Sequence, residues 1–187
     1  MKKLMFLTGL LSFVLLLSIS MSCKKDSNNN PAKPTLYDSL GGTTMVADPG
    51  NAGKTIEKGR LLIRNIIDST IFVIAGDSKI NGHFTVLLSE VQSGNLSGFQ
   101  ALSKNLTDFV AVGTGAKNFT YTGDDMKTAH DPAKNPRMNG KASNADFTQF
   151  EVDLVAGANK AGVPSNNPAL QSVANIVESL RSVVVQQ

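Results

Sequence analysis

The sequence is short of several things that carry chemistry in other proteins. Its 187 residues include one cysteine, Cys23, and two histidines, His83 and His130. A lone cysteine has no partner in the chain, so even an oxidising compartment gives no internal disulfide, and the same count excludes covalent heme attachment through Cys-x-x-Cys-His. Two histidines among many serines leave no spacing that argues for a nucleophile–base–acid triad. Net charge is small once the N-terminus is set aside. Two of the eighteen basic residues and none of the acids lie in 1–22, which leaves sixteen basic against fifteen acidic residues. No basic face is clustered, so nucleic acid is not an expected partner. No internal repeat is visible. "GNAGKT", 50–55, has two residues between its glycines where a phosphate-binding loop has four, and nothing upstream reads as a strand, so nucleotide binding is not expected.

The N-terminus is a targeting segment. Lys2 and Lys3 precede an apolar run, Leu4 to Met21, interrupted only by Thr, Gly and Ser. A basic start followed by such a run is the pattern of a signal peptide, here 1–22. It ends in "SMSC", 20–23, which resembles a bacterial lipobox, with Ser20 where Leu is commonest. The resemblance implies that Cys23 is lipidated and becomes the new N-terminus. The competing reading is an uncleaved anchor helix, since about 20 residues suffice to span a bilayer. Either way the expected location is the bacterial cell envelope: a chain attached to a membrane, its domain outside the cytoplasm. "KKDSNNNPAKP", 24–34, has no apolar periodicity and reads, with Cys23, as a flexible tether, 23–34. Residues 35–187 remain for one domain of ordinary size.

Within that domain the apolar spacing is helical. In 96–112, Phe99, Leu102, Leu106, Phe109 and Val110 recur at three- and four-residue steps, and "GTG", 113–115, stops the helix. In 143–162, Phe147, Phe150, Leu154, Val155 and Ala158 repeat the pattern behind Ser143 and Asp146, a capping-box variant. Gly162 and Pro164 mark its exit. A last helix, 167–185, starts with Asn167 as cap and Pro168 in the first turn. "LLIRNIIDSTIFVIAGD", 61–77, is rich in β-branched residues and open to a strand reading. Its length and the stripe Ile63, Ile66, Ile67, Ile71, Ile74 favour a buried helix. Shorter helices are expected at 36–40, 83–92 and 124–130, and the fold class is all-α. "NLT", 105–107, matches a glycosylation pattern, but Asn105 falls inside an expected helix.

The order of these pieces is informative. "LYDSLGG", 36–42, is followed by a long helix running into "AGDSKINGHF", 75–84, then by the helix 96–112, a glycine break and "YTGDDMKTAH", 121–130. "NADFTQFEVDLVAGANKAGVP", 144–164, and a final helix complete the series. In this order the segments resemble the group I truncated haemoglobins over nearly all of 35–185. The resemblance implies a two-over-two helical sandwich, with 61–75 and 96–112 in one layer and 144–162 and 167–185 in the other. Between the layers it implies a noncovalent heme b whose iron takes His130 as proximal ligand. Met126, one helical turn earlier, shares that face. Phe84 corresponds to the aromatic at the heme edge, Phe109 to a Phe packed above the ring, and Tyr121 to the tyrosine before the proximal helix. A histidine with a vacant opposite face leaves iron open to O₂, CO or NO.

The departures from the family shape the expected chemistry. The family usually directs a Tyr at the gas from the helix 61–75; Ile71 stands there. Positions where the distal helix often has a polar group read Leu102 and Leu106. The expected wall, Ile71, Leu102 and Leu106, is apolar. A hydrogen-bond donor to a polarised ligand is worth roughly 1.5–3 kcal/mol, so its loss shortens O₂ residence by about 10- to 100-fold. Weak, fast O₂ binding and relatively better CO or NO binding are therefore expected. His83 is the nearest polar side chain that would alter this; otherwise it reads as a turn residue. Asp124 stands near the place of a base that meets a heme propionate, with Lys127 or Lys104 as substitutes. Inserts at about 43–60 and 131–142 are further departures.

Three function classes follow. The first is a lipid-anchored heme protein that binds a diatomic gas reversibly and is not an enzyme. The second is an NO dioxygenase or a peroxidase-like enzyme, which needs an electron donor that the sequence does not name. The third is a heme-free globin-like shell acting as a surface interaction module.

Overall fold

A computed structural model describes residues 33–187. The expected signal peptide, 1–22, the expected lipidation at Cys23 and all but the last two residues of the expected tether, 23–34, lie outside the described residues. The described part is mainly helical, and among its helices none is long and apolar enough to cross a membrane.

The helices begin where the side chains can cap them. Thr35 and Asp38 form a reciprocal capping box around α1, Leu36–Ser39. Ser143 and Asp146 do the same for α6, Asn144–Lys160. Asn167 caps α7, Pro168–Glu178, through the amide of Ala169, with Pro168 in the first turn. Each pairing satisfies backbone N–H groups that the first turn leaves without intrahelical partners. The segment with the strand-like composition is a helix, α2, Lys58–Gly76, and its isoleucines 63, 66, 67, 71 and 74 are all buried. The remaining helices are α3, Thr85–Gln92, α4, Ser97–Gly113, α5, Met126–Ala129, and α8, Arg181–Val184.

The structure differs from expectation in three details. First, the mainly helical fold, compatible with the all-α class, carries one short hairpin inside the segment expected as an insert: β1, Met45–Ala47, pairs antiparallel with β2, Thr55–Glu57. A strand thus does precede "GNAGKT", but a second strand follows that loop instead of a helix. Asp48 shapes the loop, accepting from the Gly50 amide and from Asn51, and it meets the Arg64 guanidinium at 2.6 Å. Arg64, then Asn51, hold its carboxyl well below the usual carboxylate range. Second, Phe84 lies in a 3-10 turn, Asn81–Phe84, ahead of α3. Third, the expected helix 167–185 breaks between α7 and α8. Ser179 Oγ bonds back to the Ile176 carbonyl, and the Arg181 fork reaches Glu178, Glu151 and the Asn144 carbonyl. Side-chain bonds of this kind compete with the helix ladder, and no Gly or Pro announces them.

Helix α2 is the centre of the packing. It lies most extensively on α6 and next on α4, while α7 and α8 pack on α6. The approach of α2 to α6 depends on Gly157, where a Cβ would overlap Thr70. The apolar core is divided in two. One cluster gathers Phe147, Leu154, Leu170, Val177 and Val184, with Met126, Phe150 and Leu180 against it. The other gathers Tyr37, Ile63, Ile67, Ile71 and Val110, with Leu102, Leu106 and Phe109 against it. The hairpin is fastened beside the second cluster, where Glu57 accepts from Tyr37 Oη at 2.7 Å and from Asn118 at 2.5 Å.

Candidate functional site

Members of both core clusters line one cavity of about 350 Å³. That volume falls in the range of small-molecule and cofactor sites, roughly 300–1,000 Å³.

The eight residues singled out from the sequence, His130 together with Ile71, Phe84, Leu102, Leu106, Phe109, Tyr121 and Met126, all line this cavity. Ile71 is buried on α2; Leu102, Leu106 and Phe109 are half-buried along one face of α4. These three pack against the cluster that holds Ile67 and Ile71 of α2 and Val173 of α7. Phe109 meets the Tyr121 ring edge-on at 5.5 Å, and Tyr121 Oη donates to the Asp124 carbonyl at 2.5 Å. Gly123 makes room for this, since a Cβ there would overlap the tyrosine ring.

His130 closes α5 as its C-cap. Asp125 sets the other end of that short helix, accepting from the Thr128 amide and hydroxyl. The helical turn brings His130 Nδ1 to 2.8 Å from the Met126 carbonyl. A carbonyl only accepts, so Nδ1 carries the proton and Nε2 carries the lone pair. Among the described residues Nε2 has no hydrogen-bond partner. Burial pushes the imidazole below its ordinary pKa, and the Met126 carbonyl opposes this only in part. Burial therefore favours the neutral ring. Among the described residues no three His, Cys, Asp or Glu side chains gather as a metal-binding group.

Several lining residues escaped the sequence reading. Asn105 lies on α4 between Leu102 and Leu106 and lines the cavity. Its amide makes no hydrogen bond among the described residues, so the wall is not uniformly apolar. Its position was legible, because 102, 105, 106 and 109 share one helical face. His83, the expected polar neighbour, also lines the cavity, and both its ring nitrogens are engaged: Nδ1 is 2.8 Å from the Asn139 carbonyl and Nε2 is 3.2 Å from Asp146. Among the described lining residues the one Arg or Lys is Arg137. It replaces Lys104 and Lys127 as the cation at the site. Lys104 turns to Asp108 at 2.8 Å, and neither lysine lines the cavity. No sequence spacing links Arg137 to the site, because an irregular loop brings it there. Comparison of the chain with protein-family models and with curated proteins finds no match.

Proposed function

We propose that the protein is a noncovalent heme-binding globin of the truncated type, which binds a diatomic gas reversibly and has His130 as its iron ligand. The observation that carries this reading is the His130 ring. It is oriented through Nδ1 by a backbone carbonyl, burial favours its neutral form, its Nε2 has no hydrogen-bond partner among the described residues, and the residue lines a mainly apolar cavity. A metal-ligating histidine has this arrangement, with the outer nitrogen fixing tautomer and ring orientation.

The residues present fit a heme. One imidazole suits a metal whose remaining equatorial positions are filled by a macrocycle, where a bare ion would need more protein donors. The lining is mainly apolar and draws on both core clusters, which suits an apolar macrocycle. Arg137 supplies a cation for a carboxylate, its Nη groups making no hydrogen bond among the described residues. The order α2, α4, α6, α7, with α2 packed on both α4 and α6, supports the two-over-two reading of the fold. When bound, the heme supplies an iron centre with one face open to O₂, CO or NO. The chain's residues orient the imidazole, exclude water and hold its proton on Nδ1, leaving Nε2 with its lone pair. The lipobox-like "SMSC" supports attachment of the whole to a membrane through Cys23, outside the cytoplasm.

The test is titration of the full chain with hemin. A Soret band that shifts on reduction and on addition of CO, and that is lost in His130→Ala, supports the proposal. Hemin uptake and spectra unchanged by that substitution overturn it.

A further inference from the structure

The segment 131–142 is one wall of the cavity, through Asn135, Arg137, Met138 and Ala142, yet it is held unlike the others. Its ends are fixed. Asn135 Nδ2 donates to the Ala129 carbonyl at 2.8 Å beside α5. Ala142 is buried ahead of α6, and its carbonyl accepts from the Gln186 amide at 3.0 Å. Pro132 and Pro136 stiffen the chain between these points. Most of 133–141 is exposed.

The middle crosses to the 3-10 turn and α3 and is fastened there by polar contacts. Arg137 Nε donates to both Glu90 oxygens at 3.1 Å. Asn139 donates its amide to the His83 carbonyl at 3.0 Å and its Nδ2 to the Gly82 carbonyl at 2.9 Å. His83 Nδ1 returns a bond to the Asn139 carbonyl. The Arg137–Glu90 bridge runs over the first turn of α4 at Gly98, where a Cβ would overlap Glu90 Oε2 and crowd Arg137 Nε. Glycine there leaves the recess in which the bridge sits.

The geometry points to a gate: 131–142 is a strap that swings from its two fixed ends, and the Arg137–Glu90 bridge with the Asn139–His83 pair is the latch that closes it over the cavity. Exposed polar fastenings open far more readily than the apolar packing that holds α4 and α6. The ligand therefore enters and leaves under the strap. The inference rests on the heme proposal for its probe only.

Two measurements on the full chain test it. The first is hydrogen exchange without ligand. Amides of 131–142 exchange faster than those of α4 and α6, and Glu90→Ala speeds the strap alone. Protection of the strap equal to that of α6 overturns the gate. The second is hemin kinetics: uptake by stopped flow at the Soret band, loss by capture in excess apomyoglobin. Glu90→Ala raises both rates by about two- to fivefold, the effect of losing one exposed ion pair, and leaves their ratio nearly unchanged; Glu90→Gln lies between. Gly98→Ala, which strengthens a helical turn yet fills the recess, raises both rates in the same way. A rise in the loss rate alone makes 131–142 a fixed wall and overturns the gate. Absence of hemin uptake by the unmodified chain overturns the heme proposal, and hydrogen exchange then decides the gate by itself.

Discussion

The His130 ring and the Met126 carbonyl face each other across one turn of α5, Nδ1 to O at 2.8 Å. The bond fixes which nitrogen holds the proton, and so which one is free. A substitution that removes the ring but leaves α5 intact separates ligation from folding. In His130→Gly, hemin affinity falls by more than the roughly 10–100-fold that loss of an outer partner of a metal ligand costs. Free imidazole in the buffer restores the Soret band. Unchanged affinity in the variant, read by hemin titration, removes His130 from the site.

Asn105 is the one amide on the α4 face that carries Leu102, Leu106 and Phe109 into the cavity. As a hydrogen-bond donor it would slow release of a polarised gas. Asn105→Val then releases O₂ about 10-fold faster, for a loss of ~1.4 kcal/mol, and CO release changes less. Flash photolysis of the reduced protein measures both. Equal rates in the variant and the unmodified chain mean that the amide does not reach the gas, and the apolar wall expected from the sequence stands.

What was readable in the sequence was local. Ile63, Ile66, Ile67, Ile71 and Ile74 repeat at helical spacing over a length no ordinary strand reaches, and periodicity overrode their strand propensity. Ser143 with Asp146 and Asn167 with Pro168 mark helix starts because a cap needs only its own neighbours. Asn105 shares its helical face with Leu102, Leu106 and Phe109, so its place at the cavity follows from the same spacing. Arg137, Glu90 and Asn139 were not readable at all. They meet across 47 residues or more of chain, and no periodicity reports a contact made by an irregular loop. The hairpin was hidden for a related reason: three-residue strands carry too little alternation to register.

The α2–α6 crossing makes a packing prediction. A Cβ at Gly157 would overlap both the backbone and the hydroxyl of Thr70, so neither a rotamer change nor a small side-chain shift relieves it. Gly157→Ala forces the helices apart and costs about 1–3 kcal/mol, in the range of overpacked cores, despite alanine's higher helix propensity. Thermal unfolding measures the loss. Because the crossing sets the spacing of the cavity walls, hemin affinity falls with it. A variant as stable as the unmodified chain shows that the helices have slack there.

Asp153 carries the pH prediction. It is 3% exposed on α6, its Oδ1 is 3.3 Å from Gln149 Nε2, and its Oδ2 has no hydrogen-bond partner among the described residues. Burial raises its pKa, the Gln149 bond lowers it, and nearby Asp77 raises it again. A carboxyl whose pKa is higher in the folded than in the unfolded state binds more protons when folded. Stability therefore falls as pH rises from the unfolded value, about 3.9, through the raised folded value. Asp153→Asn keeps the shape, cannot ionise, and lets the amide donate to Asp77. The variant is more stable by about 1 kcal/mol at pH 7, the lower end of the cost of an unsatisfied buried polar group. Its advantage shrinks as pH falls toward the unfolded value, about 3.9, because the folded carboxyl takes up its proton first. Melting curves of the two proteins from pH 4 to 7 give the comparison. Parallel curves would mean that Asp153 ionises in the fold as freely as in the open chain, and that its buried oxygen costs the domain nothing.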